Sequence, residues 1–298
     1  MNIRFFTTLV FLLSVHIIWS QNESQGDITT FKIKPSTTDE SITQGDVEHL
    51  IMYDASNDQK KLFLFLPGTN GIPERGPKKL FETAIKQGYR VINLSYLNKL
   101  AVARICRGEN LENDSKCTEK FREQRVFGTQ TTTLIPDKPQ DAIVPRFTKL
   151  LQYLVTYDPE GNWDVYLDGN KPKWREITVT GQSQGGGMAA FIAKRVLVDK
   201  IITFSGGWDY AAKGVIADWY SYKSVTPLGK WYGFYHVKEP KAIDIEKSYK
   251  AMNIPNTHIY ALQKPVREGK RAHGEGIRNT IYTKLWVDIL GNEILIKD

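Results

Sequence analysis

Glu176-Ile-Thr-Val-Thr180, Gly181-Gln-Ser-Gln-Gly185 and Gly186-Gly-Met-Ala-Ala190 follow one another without interruption, and this stretch decides the fold. Four of its first five residues are β-branched and predict a strand, whereas the small residues of 186–196 predict a helix. The G-x-S-x-G pattern between them is typical of a strained strand-to-helix turn, because only small flanking residues permit so tight a turn. Such a turn presents its serine above the edge of a sheet, so Ser183 is the candidate nucleophile.

Strands and helices alternate on both sides of this turn. Helical periodicity is found in Gly76–Lys86, Asp141–Tyr157 and Thr280–Leu290. The strand-like segments are Val47–Tyr53, Lys61–Leu66, Tyr89–Tyr96, Lys200–Phe204, Lys230–Tyr235 and Thr257–Leu262, with Thr29–Lys34 as a possible edge strand. Strands separated by helices predict βαβ units and a mostly parallel sheet in one α/β domain.

Three segments fit this alternation poorly, namely 97–136, 158–174 and 207–229. They are polar or aromatic and longer than normal connections, so we expect them to be insertions at one end of the sheet. The last of them carries Trp208, Tyr210 and Trp219, which are candidates for an aromatic substrate-binding wall.

Composition and charge exclude several classes of protein. The chain has 298 residues, 40 Lys and Arg against 33 Asp and Glu, and a net charge of +7. The basic residues form no run of five or six, so the charge does not indicate nucleic-acid binding. Neither a phosphate-binding loop nor a dinucleotide fingerprint is present, and we expect no cofactor and no metal.

The N-terminus has the parts of a secretory signal peptide. Met1–Arg4 is basic, Phe5–Trp19 is largely apolar, and Ser20 is a small residue suited to cleavage. The apolar stretch of 15 residues is shorter than a membrane span, although an uncleaved anchor is the alternative. We therefore predict a signal peptide at 1–20, a lead-in at 21–46 with a possible edge strand, a catalytic domain at 47–298, and export to the periplasm or beyond.

Export changes the interpretation of the two cysteines. In an oxidising compartment, Cys106 and Cys117 are expected to form a disulfide that shapes a local loop. A metal site is the weaker interpretation, because two thiolates without a nearby histidine make an incomplete ligand set.

A catalytic serine needs a histidine to take its proton. His273 lies in a glycine-flanked loop between the last predicted strand and the C-terminal helix, so it is the candidate base. His236, at the end of the preceding strand, is the alternative.

The histidine in turn needs a carboxylate that orients it. Glu239 follows a predicted strand and precedes His273 by 34 residues, which makes it the favoured acid. Asp209, beyond the intervening strand, is the second candidate, and Asp244 is a third.

Two backbone N–H groups are needed to stabilise the oxyanion of an acyl-transfer transition state. One is expected from Gln184, directly after the serine. The other is expected from the loop Pro67-Gly-Thr-Asn-Gly71, with Thr69 favoured over Asn70.

Taken together, these residues make the chain resemble the serine hydrolases of the α/β-hydrolase superfamily over about residues 47–292. The segments Leu66-Pro-Gly-Thr69, Gly181-Gln-Ser-Gln-Gly185 and Ala272-His-Gly274 occur in the superfamily's order. The chain is also similar to a group of exported bacterial hydrolases in its Cys106–Cys117 loop, in Phe121-Arg-Glu123 and in the stretch from Tyr232 to Glu239. It departs from the superfamily in having Pro67-Gly68 where His-Gly is commoner, and Glu rather than Asp as the acid.

The resemblance implies an α/β-hydrolase fold, with a mostly parallel central sheet flanked by helices and with loop or cap insertions. It also implies a carboxylesterase-like enzyme acting on a small-molecule or polymer ester through Ser183, His273 and Glu239. The alternative is a secreted glycan- or peptide-binding protein whose triad is dormant, since a fold does not prove an activity.

Overall fold

The computed structural model describes residues 27–57 and 60–291, so the expected signal peptide at 1–20 lies outside the described residues. The strands are β1 Thr29–Ile33, β2 His49–Tyr53, β3 Lys61–Leu66, β4 Tyr89–Asn93, β5 Leu167–Asp168, β6 Lys171–Pro172, β7 Ile177–Gln182, β8 Lys200–Phe204, β9 Tyr210–Ala212, β10 Val215–Ile216, β11 Trp231–His236 and β12 Ile259–Leu262. The α-helices are α1 Pro35–Thr38, α2 Lys78–Lys86, α3 Val102–Ile105, α4 Glu109–Asn113, α5 Cys117–Phe127, α6 Ile143–Tyr157, α7 Gln184–Arg195, α8 Ala242–Ala251, α9 Glu275–Arg278 and α10 Thr283–Leu290. In the described ranges, no helix is long and apolar enough to cross a membrane.

Eight of the strands form one sheet in the order β1-β2-β4-β3-β7-β8-β11-β12. The pairs β1–β2 and β2–β4 are antiparallel, and every other neighbouring pair is parallel. The predicted mostly parallel sheet is therefore confirmed, and β1 is the antiparallel edge strand foreseen in the lead-in.

Strand β3 shows how the sheet is buried on both faces. Its alternate residues Leu62, Leu64 and Leu66 belong to one apolar core, whereas Phe63 and Phe65 belong to the other. Successive side chains of a strand point to opposite faces, so a strand covered on both sides reads as a continuous apolar run. Helices α5, α6, α7 and α8 cover the leucine face, and α2, α9 and α10 cover the phenylalanine face.

The insertion 97–136 contains three helices, α3, α4 and α5. The sequence of helix α5 shows no apolar periodicity because the buried face of the helix carries arginines. Arg122 and Arg125 are almost fully buried, and each is paired with a buried carboxylate, Asp209 and Asp137 respectively. The insertion is therefore a helical segment that two buried ion pairs hold in place.

The expectation that all three insertions lie at one end of the sheet is corrected for 158–174. The Tyr166 hydroxyl donates to the carbonyl of Lys61 at 3.3 Å, and Arg90 Nε donates to the carbonyl of Gly161 at 3.1 Å. Lys61 begins β3, and Arg90 is the second residue of β4, so this segment lies at the amino ends of the strands. The reason is topological: it connects α6 to the start of β7, whereas 97–136 and 207–229 follow the carboxyl ends of β4 and β8.

Cys106 and Cys117 form the disulfide predicted from the sequence. The bond joins the end of α3 to the start of α5 across a separation of 11 residues. Both cysteines are buried in the core beside Val102 and Phe121. The disulfide therefore restrains the segment that forms one wall of the candidate site.

Replacing both cysteines by alanine is expected to lower the free energy of unfolding by about 3 kcal/mol, the loop-entropy value for a closed loop of this length. Urea unfolding followed by circular dichroism measures the change. Reducing the wild-type protein should reproduce the loss, and the same reductant should leave the double variant unchanged. Equal stability of the oxidised wild-type protein and the double variant would contradict the assigned role of the disulfide.

Candidate active site

Ser183 occupies the turn between β7 and α7 in a conformation that L-residues rarely adopt, with φ at 57° and ψ at −121°. Its backbone N–H donates to the carbonyl of Phe204 at 2.9 Å, which ties the turn to the end of β8. A non-glycine residue at positive φ costs free energy and persists only where its surroundings hold it. The strand-to-helix turn therefore has the strained geometry expected of a nucleophile turn.

The two glycines of the motif allow the turn to pack against the neighbouring strand. A Cβ atom on Gly181 would lie 2.5 Å from the backbone of Gly185. A Cβ atom on Gly185 would overlap the carbonyl oxygens of Leu66 and Pro67. Glycine at both positions is thus a steric requirement of the close approach between β7, α7 and the end of β3.

His273 and Glu239 are brought together by the fold. The Nδ1 atom of His273 lies 2.5 Å from Glu239 Oε2, within hydrogen-bond distance. The Glu239 side chain is only 1% exposed, whereas that of His273 is 34% exposed. The other carboxylate oxygen, Oε1, accepts hydrogen bonds from the Ser205 hydroxyl and from the backbone N–H of His236, both at 2.7 Å. A buried carboxylate held by three donors is thus placed to orient an imidazole that remains accessible.

The loop that carries His273 lies beside the end of β7, where the serine turn begins. Gln182, the residue before Ser183, donates its side-chain N–H to the backbone carbonyl of His273 at 3.1 Å. The Trp208 ring lies edge-on to the His273 ring with centroids 5.9 Å apart, and it also lines the small cavity that contains Ser183. The Ser183 hydroxyl has no hydrogen-bond partner among residues 27–57 and 60–291, and such bonds often tighten only when substrate binds.

The other two candidate acids make different contacts. Asp209 is bound by Arg122, whose Nε and Nη2 reach its two oxygens at 2.5 and 2.8 Å. Burial opposes the charge on Arg122, but the Asp209 carboxylate outweighs this effect and raises the pKa of the guanidinium. Asp244 pairs with Lys241 on the surface at 3.0 Å. Glu239 is therefore the one of the three that contacts His273.

The alternative base, His236, is held in the structure by both ring nitrogens. Its Nε2 lies 2.8 Å from the carbonyl of Lys264, and its Nδ1 accepts from the N–H of Lys238 at 3.1 Å. Its side chain is buried. These contacts connect the end of β11 to the loop after β12 and give His236 a structural role.

The candidate oxyanion donors lie at the same cavity. A void of about 40 Å³ is lined by Thr69, Ser183, Gln184 and Trp208, among others. Neither the Thr69 nor the Gln184 backbone N–H has an acceptor in the part of the chain that the structure describes. The N–H of Asn70, the second choice from the sequence, donates instead to the carbonyl of Asn98 at 3.4 Å. Thr69 and Gln184 thus retain the free donors that the chemistry requires.

The three predicted aromatic residues do not form one wall. Trp208 and Tyr210 line a larger cavity of about 760 Å³ that adjoins the first. Trp219 is fully buried; its indole N–H donates to Asp209 at 3.0 Å and its ring packs against Phe191. Trp219 therefore belongs to the main core, where it anchors the insertion against α7.

Comparisons with known proteins support this description of the fold. The sequence matches no protein-family model and no curated protein. Among solved structures, an S-formylglutathione hydrolase from Staphylococcus aureus superimposes with a TM-score of 0.51 at 9% identity, covering 89% of this chain and 98% of its own. The chain has the α/β-hydrolase fold.

Two further solved structures are similar to the chain at the same level. A dienelactone hydrolase from Anabaena variabilis has a TM-score of 0.46 at 12% identity, covering 88% of this chain and 97% of its own. An esterase from Pyrococcus furiosus has a TM-score of 0.48 at 12% identity, covering 89% and 92%.

Asn98 is a buried residue of the candidate site that sequence reasoning missed. The Asn98 side chain donates to the carbonyls of Gly68 and Gly71 at 3.1 and 2.8 Å. The backbone carbonyl of Asn98 accepts a hydrogen bond from the Gln184 side chain at 3.1 Å. Asn98 thereby joins the Thr69 loop to Gln184, the residue after Ser183. No motif marks it, because its partners are 27 or more residues away along the chain.

Ser205 is a second contact that sequence reasoning missed. It follows β8 directly, has a positive φ of 49°, and donates to Glu239. A serine after a strand carries no pattern of its own, so its role became visible only when the ends of β8 and β11 were placed side by side.

Gly185→Ala is expected to lower the free energy of unfolding by about 2 kcal/mol or more, because the new methyl group overlaps backbone atoms of the neighbouring strand. Urea unfolding measures the change. The matched control is Gly229→Ala, where no heavy atom lies within 4 Å and the change should stay within about 0.5 kcal/mol. Equal effects of the two substitutions would show that the turn is not packed as described.

Proposed function

We propose that the protein is a serine hydrolase that cleaves an ester through an acyl-enzyme intermediate. The observation that carries the proposal is the pairing of the partly exposed His273 imidazole with a buried carboxylate that accepts three hydrogen bonds, in a chain whose Ser183 lies in a strained strand-to-helix turn. A serine hydroxyl is a weak nucleophile unless such a base activates it.

In the proposed first step, Nε2 of His273 takes the Ser183 proton as Oγ attacks the ester carbonyl. Glu239 accepts a hydrogen bond from Nδ1–H of His273, which fixes the tautomer of the imidazole, and it stabilises the imidazolium that forms. The free N–H groups of Thr69 and Gln184 stabilise the oxyanion. His273 then returns the proton to the leaving alcohol as the carbon–oxygen bond breaks.

In the second step, water attacks the acyl-enzyme. His273 takes the water proton and gives it to Ser183 Oγ, which releases the carboxylic acid and restores the enzyme. The chain's own side chains supply every proton transfer in this scheme, so the proposed reaction requires no metal or organic cofactor.

We also propose that the protein works after export. The Cys106–Cys117 disulfide supports this location, because disulfides persist mainly in oxidising compartments. The signal peptide expected at 1–20 lies outside the described residues.

Labelling with a fluorophosphonate tests the assignment of the nucleophile. Intact mass is expected to show one adduct on the wild-type protein and none on Ser183→Ala, with much slower labelling of His273→Ala. The matched control is Ser221→Ala, since Ser221 is exposed on the 207–229 insertion and its substitution should leave labelling unchanged.

On a 4-nitrophenyl ester, Glu239→Gln should lower kcat by about 10³- to 10⁴-fold through loss of the oriented tautomer of His273.

The outcomes of this experiment separate the possibilities. An adduct on Ser183→Ala would refute the nucleophile, and an adduct formed at the full rate on His273→Ala would refute the base. A folded wild-type protein that takes up no adduct would refute the hydrolase and favour a dormant binding scaffold.

Asn98→Ala tests the support of the oxyanion donors. The substitution removes the two side-chain bonds that hold the Thr69 loop, so we expect kcat to fall by about 10- to 100-fold with KM changed less than threefold. Steady-state kinetics on a 4-nitrophenyl ester measures the split. Asn110→Ala, on the exposed side of α4, is the control and should leave both constants unchanged. A rise in KM with an unchanged kcat would contradict the role.

A further inference from the structure

The cavity of about 760 Å³ lies directly beside the one that contains Ser183. Val102, Ala103, Trp208 and Asp209 line both, so the two voids share a boundary. This volume is within the range of cavities that hold small organic ligands. A substrate whose carbonyl lies at Ser183 can therefore extend past Trp208 into the larger cavity.

The inner part of this cavity is apolar and aromatic. Leu111 and Ala211 are buried in its wall, and the rings of Trp208 and Tyr210 are half-buried there. Ring faces and methyl groups favour a flat or aliphatic group over a strongly hydrated one.

The outer part of the cavity carries an excess of positive charge. Its lining includes Arg107, Lys213 and Lys241, and all three are exposed. Among the described residues, the side chains of Arg107 and Lys213 have no ion pair or hydrogen bond. Lys241 is shared with Asp244 at 3.0 Å and with the Tyr210 hydroxyl at 3.2 Å.

Two carboxylates also line this cavity, and they do not cancel the excess. Asp209 is neutralised by its buried pair with Arg122. Glu112 is exposed on α4, and its single negative charge offsets only one of the two cations that have no ion pair. The rim therefore retains a net positive charge on two separate elements, the segment after α3 and the hairpin β9–β10.

We propose that this cavity binds the part of the substrate away from the scissile bond, and that this part is an aromatic or aliphatic group ending in a carboxylate. The apolar group lies against Trp208 and Tyr210, and the carboxylate lies between Arg107 and Lys213. The proposal rests on the proposed function for the position of the scissile ester, but binding of the carboxylate does not depend on ester cleavage.

Binding is measured first, on the Ser183→Ala protein. Isothermal titration calorimetry compares 3-phenylpropionate with 3-phenylpropanamide, which differ in charge and not in shape. The carboxylate is expected to bind roughly five- to tenfold more tightly at low salt, the combined effect of two solvent-exposed ion pairs. At 0.5 M NaCl the ratio should fall below about twofold, since salt screens such pairs.

The charge-reversed variant Arg107→Glu/Lys213→Glu identifies the site. It should abolish the preference for the carboxylate while leaving the affinity for the amide within about twofold. The matched control is Lys223→Glu, because Lys223 is exposed on the same insertion but does not line the cavity. This control should retain the preference.

Turnover is measured second, on the wild-type protein. The acetate ester of 3-(4-hydroxyphenyl)propionate should show a higher kcat/KM than that of the corresponding amide, by the same five- to tenfold.

Each result has a single meaning. A preference for the amide, or a carboxylate preference that survives the double charge reversal, would overturn the anion site. Carboxylate binding to Ser183→Ala without fluorophosphonate labelling of the wild type would support the anion site and refute the hydrolase. Labelling and ester cleavage without any carboxylate preference would support the hydrolase and refute the anion site.

Discussion

The packing of the serine turn against the end of β3 is the contact on which the candidate site depends. Gly181 and Gly185 lie so close to the backbone of Leu66 and Pro67 that neither position has room for a side chain. This approach holds Ser183 in its strained conformation and at the same time places the Thr69 loop beside it. The candidate nucleophile and the candidate oxyanion donors are therefore positioned by one contact between two neighbouring strands. Asn98 reinforces this contact through hydrogen bonds to Gly68 and Gln184.

The remaining groups come from the next strand ends along the sheet. Ser205 follows β8, Glu239 follows β11, and His273 follows β12. Parallel strands present all of their carboxyl ends at one edge, so residues far apart in sequence meet there. Glu239 gains two hydrogen bonds from this arrangement, from Ser205 and His273, and a third from the nearby N–H of His236. These bonds offset the cost of burying its carboxylate.

A buried ion pair connects the two insertions that surround the site. Arg122 of α5 binds Asp209 beside β9, and Trp219 and Tyr220 complete the contacts of that aspartate. Breaking such a pair leaves an unpaired buried charge, which is strongly unfavourable. The pair and the Cys106–Cys117 disulfide thus hold the walls of the larger cavity, while Arg107 and Lys213 at its rim remain free to meet a ligand.

The amino-acid sequence alone determined the alternating elements, the strand–turn–helix around Ser183, and the disulfide, because each depends on neighbours within a few residues or on simple chemistry. It also placed His273 in the loop that follows the last strand. The three-dimensional packing was needed to show that Glu239 rather than Asp209 contacts His273. It also showed that Trp219 is buried in the core rather than lining the cavity, and that 158–174 lies at the opposite end of the sheet. Each of these depends on contacts between segments that are separated along the chain, and a partner from a distant segment leaves no mark in the local pattern of residues.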